Sequence, residues 1–103
     1  MNPTIPQRAI VLDTETTGLS PSKRPFDRIV EIAACELIEG RETGRVFHHY
    51  INPERPVPKT ASDVHGLTDQ FLADKPRFSE IAETFRAFVG DEQTPVFAHN
   101  AQF

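Results

Sequence analysis

Residues 10–18 read IVLDTETTG, and this stretch says more about the fold than any other. Its apolar, partly β-branched start predicts a β-strand over Ala9–Leu12 that ends near Glu15. Side chains two residues apart on a strand point to the same face and lie about 6–7 Å from each other. Asp13 and Glu15 should therefore present two neighbouring carboxylates at the carboxyl end of a strand, where α/β proteins commonly place their sites.

The segments that follow predict an antiparallel meander. Residues 28–38 (RIVEIAACELI) are apolar on both faces at their start and indicate a central strand, and residues 39–42 supply a turn. Residues 45–51 (RVFHHYI) return as a third strand, and such short connections favour antiparallel pairing. Residues 18–27 and 53–62 contain glycine, serine or several prolines and are expected to be irregular.

Helices and a fourth strand are predicted in the second half. Thr68 is a suitable N-cap for a short helix through Leu72. Apolar residues in 78–89 recur at i, i+3, i+4 and i+7, which predicts one helix face that ends at Gly90. Residues 95–99 read as a strand reached through that helix, and therefore parallel to a neighbour. The order β-β-β-α-β predicts an α/β mixed sheet that needs further helices to cover it, so we expect the first portion of a domain.

Composition narrows the class of protein. The 103 residues are 38% hydrophobic and 25% charged, which is typical of a soluble globular chain. No apolar run approaches the ~20 residues of a membrane span, and the N-terminus lacks a signal-peptide pattern, so a cytoplasmic protein is expected. Residues 1–7 are predicted to be a disordered lead-in. The single cysteine, Cys35, cannot form an internal disulfide and is expected to be a buried thiol.

The net charge of −4 argues against binding nucleic acid through a basic stripe, yet it does not exclude a nuclease. Two like charges at Asp13 and Glu15 repel unless a cation lies between them, and hard cations such as Mg²⁺ prefer oxygen ligands. An isolated Asp-x-Glu is more often a pair of solvated residues at a strand end. Other segments of the sequence are needed to distinguish a metal-binding pair from a pair of solvated residues.

Four segments in the same order resemble a known family of nucleases. IVLDTETTGL resembles the first motif of the DEDD superfamily of 3′→5′ exonucleases, in the form found in its proofreading branch. The other three segments are RIVEIAACEL with Glu31, VHGLTDQFLADKPRFSEI, and HNAQF at residues 99–103. The resemblance covers residues 8–103 and is closest to the epsilon proofreading subunits of bacterial DNA polymerase III.

The resemblance implies a ribonuclease H-like fold and a set of site residues. Asp13 and Glu15 would be the first two metal-binding, catalytic carboxylates, serving two divalent ions (Mg²⁺ or Mn²⁺). The residues expected to contact the substrate are Thr14, Thr16, Gly18, His65 and Asn100. The implied reaction is hydrolysis of the 3′-terminal phosphodiester bond of single-stranded DNA, with the catalytic subunit of DNA polymerase III as partner and no membrane involvement.

The same resemblance implies that residues 8–103 are the N-terminal portion of an exonuclease domain. The family's third carboxylate would follow directly after Phe103, and its general-base histidine and fourth carboxylate would come later. We therefore expect the 103 residues by themselves to be inactive. Two alternatives are a non-catalytic fragment that serves as a scaffold, and an RNA-trimming exonuclease of the same superfamily. His48 and His49 face opposite ways on a strand and are expected to be ordinary strand residues, and His99 to support a strand end.

Overall fold

A computed structural model describes residues 6–18 and 27–98. Its elements are β1 (Arg8–Thr16), β2 (Ile29–Ile38), β3 (Arg41–Tyr50), α1 (Lys59–His65), α2 (Asp69–Leu72), α3 (Phe78–Val89) and β4 (Val96–Ala98). Most of the predicted lead-in, most of the first loop, His99 and the predicted substrate residue Asn100 lie outside the described residues. Gln7, at the end of the predicted lead-in, accepts a backbone hydrogen bond from Glu39 at 2.8 Å.

The four strands form one mixed sheet in the order β3-β2-β1-β4. The first three strands are antiparallel, and β4 runs parallel to β1 with Ile10 opposite Val96. This confirms the predicted fold class. The turn between β2 and β3 is shorter than predicted, because Glu39 and Gly40 both have positive φ (50° and 82°). Such a two-residue turn matches the twist of paired strands, so β3 begins at Arg41 rather than Arg45.

α3 covers one face of the sheet. The buried cluster between them consists of Ile10, Ile32, Ala34, Phe47, Ile51, Ile81 and Phe88. Phe47 is its aromatic centre, with ring centroids 5.3 Å from Phe85 and 5.7 Å from Phe88. The predicted periodicity of α3 is thereby confirmed: residues at i, i+4 and i+7 reach the sheet together.

Two arginines attach the carboxyl end of α3 to the sheet. Arg8 donates hydrogen bonds to the backbone carbonyls of Phe88 and Val89 and, at 2.7 Å, to the Glu36 carboxylate. Arg45 donates to the same Phe88 carbonyl at 2.8 Å and to Glu36 at 3.2 Å. The last carbonyls of a helix have no partner within the helix, so the guanidinium groups satisfy them and complement the helix dipole.

The helix α1 corrects the prediction that residues 53–62 are irregular. It begins after Pro58 and is closed by Gly66, whose φ of 76° places it in the left-handed conformation. No side chain of α1 is buried, so periodicity gave no signal for it. The prediction for α2 is confirmed, because the Thr68 hydroxyl accepts a hydrogen bond from the Phe71 amide at 3.2 Å.

In the described part of the chain, the middle of the sheet face opposite α3 is open, while α2 packs at its edge through Phe71 against Tyr50. Val11, Ala33, Cys35 and Val46 line a depression of about 490 Å³ there. Cys35 is therefore partly exposed rather than buried, since no described element packs over it. Among the described helices, none has the length and apolar character needed to cross a membrane.

Candidate active site

The pleat of β1 sets the direction of the two predicted carboxylates. Ile10 and Leu12 pack in the core under α3. Because side chains alternate along a strand, Asp13 and Glu15 point to the opposite, open face. Asp13 is exposed and Glu15 is half-buried. The structure thus brings these two carboxylates together on one face at the carboxyl end of β1, as the sequence predicted.

Two surface depressions meet at this pair. Asp13 lies on the edge of the open depression on the sheet face. Glu15 lies on the edge of a groove of about 390 Å³ between the end of β1 and α1. The residues lining the groove are Glu15, Thr16, Thr17, Gly18, Thr60, Ala61, Val64 and His65. A ligand in the groove would therefore have one end beside the carboxylates.

His65 connects α1 to the end of β1 through both ring nitrogens. Its Nδ1 accepts a hydrogen bond from the Leu67 amide at 3.0 Å, and its Nε2 lies 3.0 Å from the Thr16 carbonyl. An amide can only donate and a carbonyl can only accept, so Nδ1 is unprotonated and Nε2 carries the proton. His65 thus lines the groove with both ring nitrogens engaged in hydrogen bonds.

The predicted substrate residues Thr14 and Thr16 lie on the α3 side of β1, opposite the carboxylates. Thr16 is only 8% exposed, and its hydroxyl donates to the Gly18 carbonyl at 2.5 Å. Its own carbonyl accepts a hydrogen bond from His65 Nε2. These contacts shape the turn at the mouth of the groove. Direct contact of Thr14, Thr16, Gly18, His65 or Asn100 with a nucleotide stays a prediction.

A polar cluster that the sequence did not reveal closes the base of the loop after β1. The buried Thr17 hydroxyl donates to the Asp27 carboxylate at 2.8 Å and accepts from the Arg28 amide at 2.9 Å. Arg55 donates to the same Asp27 oxygen at 3.0 Å. Thr17 and Asp27 are 10 positions apart in the sequence, and Asp27 and Arg55 are 28 positions apart. No local sequence pattern predicts that these three residues meet.

Gly18 is required by this cluster. A Cβ at Gly18 would lie 2.6–2.8 Å from the atoms of the Asp27 carboxyl group, closer than real Cβ contacts. The carboxylate cannot simply swing away, because Thr17 and Arg55 hold it. The glycine of the TTG sequence therefore permits the close approach of the two ends of the loop.

We expect Gly18→Ala to destabilise the protein by about 1–3 kcal/mol, because the added methyl group overpacks a site that is already held by hydrogen bonds. Urea unfolding would measure the loss. The matched control is the same change in an Asp27→Ala background, where the clash is gone and the cost should fall below about 1 kcal/mol. Equal costs in both backgrounds would contradict the steric explanation.

The groove wall formed by Thr60, Ala61 and Val64 was also missed. The signal that could have found it is a proline before the helix and a glycine after it, since Pro is frequent at helix starts and Gly at the position after the end. Val64 is 82% exposed, so an apolar side chain faces solvent beside the site.

The carboxylates form a two-residue donor set. Over residues 6–18 and 27–98, no group of three or more His, Cys, Asp or Glu side chains is arranged to hold a metal ion. Asp13 and Glu15 supply the hard oxygen donors that Mg²⁺ and Mn²⁺ prefer, and their exposure on the open face leaves room for further ligands. The residues present therefore fit divalent ions as one part of a ligand set.

Comparison with known proteins decides the family. Residues 10–103 match the Exonuclease family (RNase_T). The chain belongs to this Exonuclease family. It is 51% identical over 96 residues to DNA polymerase III subunit epsilon of Rickettsia felis, and 48% identical over 99 residues to the protein of that name from Buchnera aphidicola of Schizaphis graminum. These alignments cover 93% and 94% of this chain but 40% and 42% of the relatives. The Exonuclease-family chain thus spans about two fifths of the length of these curated relatives.

Solved structures agree with the fold. A structure of exonuclease X in complex with 5′ overhanging duplex DNA superposes with a TM-score of 0.74 at 33% identity, covering 92% of this chain and 50% of that one. Exonuclease I superposes with a TM-score of 0.78 at 20% identity, covering 94% of this chain and 22% of that one, and supports the fold only. The resemblance inferred from the sequence motifs is confirmed for the Exonuclease-family chain.

Proposed function

We propose that the protein containing these residues is a 3′→5′ exonuclease of the DEDD type that removes nucleotides from the 3′ end of single-stranded DNA. One observation carries the proposal: Asp13 and Glu15 share one face at the end of β1, where the open sheet face meets the groove beside α1. The two carboxylates border a cleft that can receive a chain end. Membership of the Exonuclease family over residues 10–103 supports the same reaction.

Asp13 and Glu15 would hold two divalent ions, Mg²⁺ or Mn²⁺. When bound, these ions supply the positive charge that cleavage of a phosphodiester needs on its attacking and leaving oxygens. The other ligands would come from outside residues 6–18 and 27–98, because the described residues offer no larger donor cluster. His65 is not the general base in this arrangement, since both of its ring nitrogens already have hydrogen-bond partners.

The groove would receive the terminal nucleotide. Thr16 and Gly18 shape the turn at its mouth, and His65 fixes α1 to that turn. The exposed Val64 provides an apolar contact for the base or sugar. Thr14, through its backbone, and Asn100 complete the proposed substrate contacts by resemblance. The chain carries a net charge of −4, so this recognition would depend on the strand end and the ions rather than on a basic surface.

The proposed partner is the catalytic subunit of DNA polymerase III, and the proposed location is the cytoplasm. Both proposals rest on the relatives, which are named as the epsilon subunit of that polymerase. In that setting the reaction would be proofreading, the removal of nucleotides from a primer end.

The test is release of mononucleotides from 3′-labelled single-stranded DNA in Mg²⁺ by the whole protein and, separately, by residues 1–103. We expect steady release by the whole protein and none by residues 1–103, because the family resemblance places the general base outside them. Steady release by residues 1–103 would contradict the expectation that further catalytic residues lie outside them. Faster release from RNA of the same sequence would favour the RNA-trimming alternative, and no release by the whole protein would favour the scaffold.

A further inference from the structure

A third carboxylate lies beside the Asp13–Glu15 pair. In the register of β1 and β2, Glu31 is directly opposite Glu15. Directly opposed residues of antiparallel strands have Cβ atoms about 4.5–5.5 Å apart and side chains on the same face. Glu31 is therefore placed to offer its carboxylate to any ion that Asp13 and Glu15 bind.

In the structure, the Glu31 carboxylate is instead hydrogen-bonded to a residue of β3. His48 lies on the next strand, opposite Ala33, and its Nε2 donates a hydrogen bond to Glu31 Oε2 at 2.6 Å. Because β2 lies between β1 and β3, this bond draws the carboxylate toward β3 and away from Glu15. It agrees with the absence of a three-carboxylate group from the described ranges 6–18 and 27–98.

The imidazole of His48 is held in place by its neighbours. Its ring contacts Tyr50 edge to face, with centroids 4.9 Å apart, and Tyr50 contacts Phe71 of α2 in the same manner at 5.0 Å. Such pairs favour one relative orientation of the rings. The side chain of His48 is 45% exposed, yet its ring cannot turn away from Glu31 without breaking this series of contacts.

We propose that His48 is a positioning residue, which holds the Glu31 carboxylate toward β3 and so keeps it apart from the divalent ions that Asp13 and Glu15 would bind. The proposal rests on the proposed function. A surface ion pair of ordinary kind would contribute only about 0–1 kcal/mol to stability and would not affect the ions. The two interpretations differ in what happens when His48 is removed.

The experiment compares the whole protein with its His48→Ala variant, with Mn²⁺ binding measured by electron paramagnetic resonance and DNA hydrolysis under steady-state conditions. A released Glu31 adds a negative charge next to the ions, so Mn²⁺ affinity should rise about three- to tenfold. It also draws the ions out of position, so kcat should fall about 10- to 100-fold with little change in KM, as for other residues that orient metal ligands.

Two variants separate positioning from a structural role. His48→Gln retains a donor that can reach Glu31 and should keep kcat within about threefold of the original. The double variant Glu31→Gln/His48→Ala removes the released charge and should recover most of kcat and the original Mn²⁺ affinity. A loss of packing at His48 would leave the double variant as impaired as His48→Ala.

The proposal is overturned if His48→Ala leaves both Mn²⁺ affinity and kcat unchanged, or if removal of Glu31 restores neither. Failure of the proposed function would look different. A whole protein without exonuclease activity would contradict that function, while the Mn²⁺ affinities of the three variants would still report whether His48 restrains Glu31.

Discussion

Replacement of Asp13 by asparagine in the whole protein is expected to lower the rate of 3′-nucleotide release by about 10³-fold or more, the loss typical of a group that stabilises charge in the transition state. Asparagine keeps the shape of the side chain and one oxygen but removes the negative charge that a divalent ion needs. Asp13 is exposed at the end of β1, so the fold should be unaffected. Single-turnover rates at saturating Mg²⁺, with thermal unfolding in parallel, would measure both effects.

Glu15→Gln should have an effect of the same order, because Glu15 lies two residues further on the same face. The matched control is Glu39→Gln, since Glu39 is an exposed carboxylate in the β2–β3 turn at the far end of the sheet. That variant should retain full activity. A loss of less than tenfold in Asp13→Asn would show that the pair does not form the catalytic centre.

Arg8→Met is expected to reduce the free energy of unfolding by about 2–4 kcal/mol, a large share of what a small domain possesses. The methionine retains the aliphatic stem but leaves the Phe88 carbonyl with one donor fewer and removes the Arg8 bond to Val89. Activity per folded molecule should not change, because Arg8 lies at the opposite end of β1 from Asp13 and Glu15. Urea unfolding of the whole protein would measure the loss of stability.

Arg45→Met is the control, and it should cost only about 1 kcal/mol or less, since the Arg45 side chain is more exposed and Arg8 still donates to the Phe88 carbonyl.

The pH dependence of the free energy of unfolding gives a second measurement. The hydrogen bond from Arg8 is the main cause that holds the pKa of Glu36 below its ordinary value. Ionised Glu36 therefore stabilises the fold above its ordinary pKa, and this contribution is lost as the pH falls through the lowered pKa.

Loss of that bond in Arg8→Met should make the acid side of the stability profile flatter than in the original protein. Equal destabilisation by Arg8→Met and Arg45→Met, with unchanged pH profiles, would contradict the assigned role of Arg8.

The sequence was sufficient for the parts of the fold that depend on local pattern. The apolar start of β1, the helical spacing of α3 and the capping threonine at Thr68 each have a signal within a few residues, and each is confirmed. The position of Asp13 and Glu15 followed from strand alternation. A strong apolar periodicity predicts an element well because the residues that repeat are those that pack in the core.

The remainder depended on contacts between distant residues. The prolines before α1 led to the prediction of an irregular segment. Because α1 has no buried side chain, its sequence has no apolar periodicity that predicts a helix. The cluster of Thr17, Asp27 and Arg55 joins segments up to 38 positions apart in sequence, and only the folded chain brings them together. The opposition of Glu15 and Glu31 depends on strand register, which is fixed by the pleat and the turns rather than by either residue.

The lack of buried side chains in α1 has a consequence for how a nucleotide enters. A helix of seven residues with no buried anchor opens by local unfolding at low free-energy cost. One contact that secures it to β1 is the hydrogen bond from the His65 imidazole to the Thr16 carbonyl. Amide protons of α1 should therefore exchange with solvent much faster than those of α3, and opening of α1 would widen the groove without unfolding the sheet that bears the carboxylates.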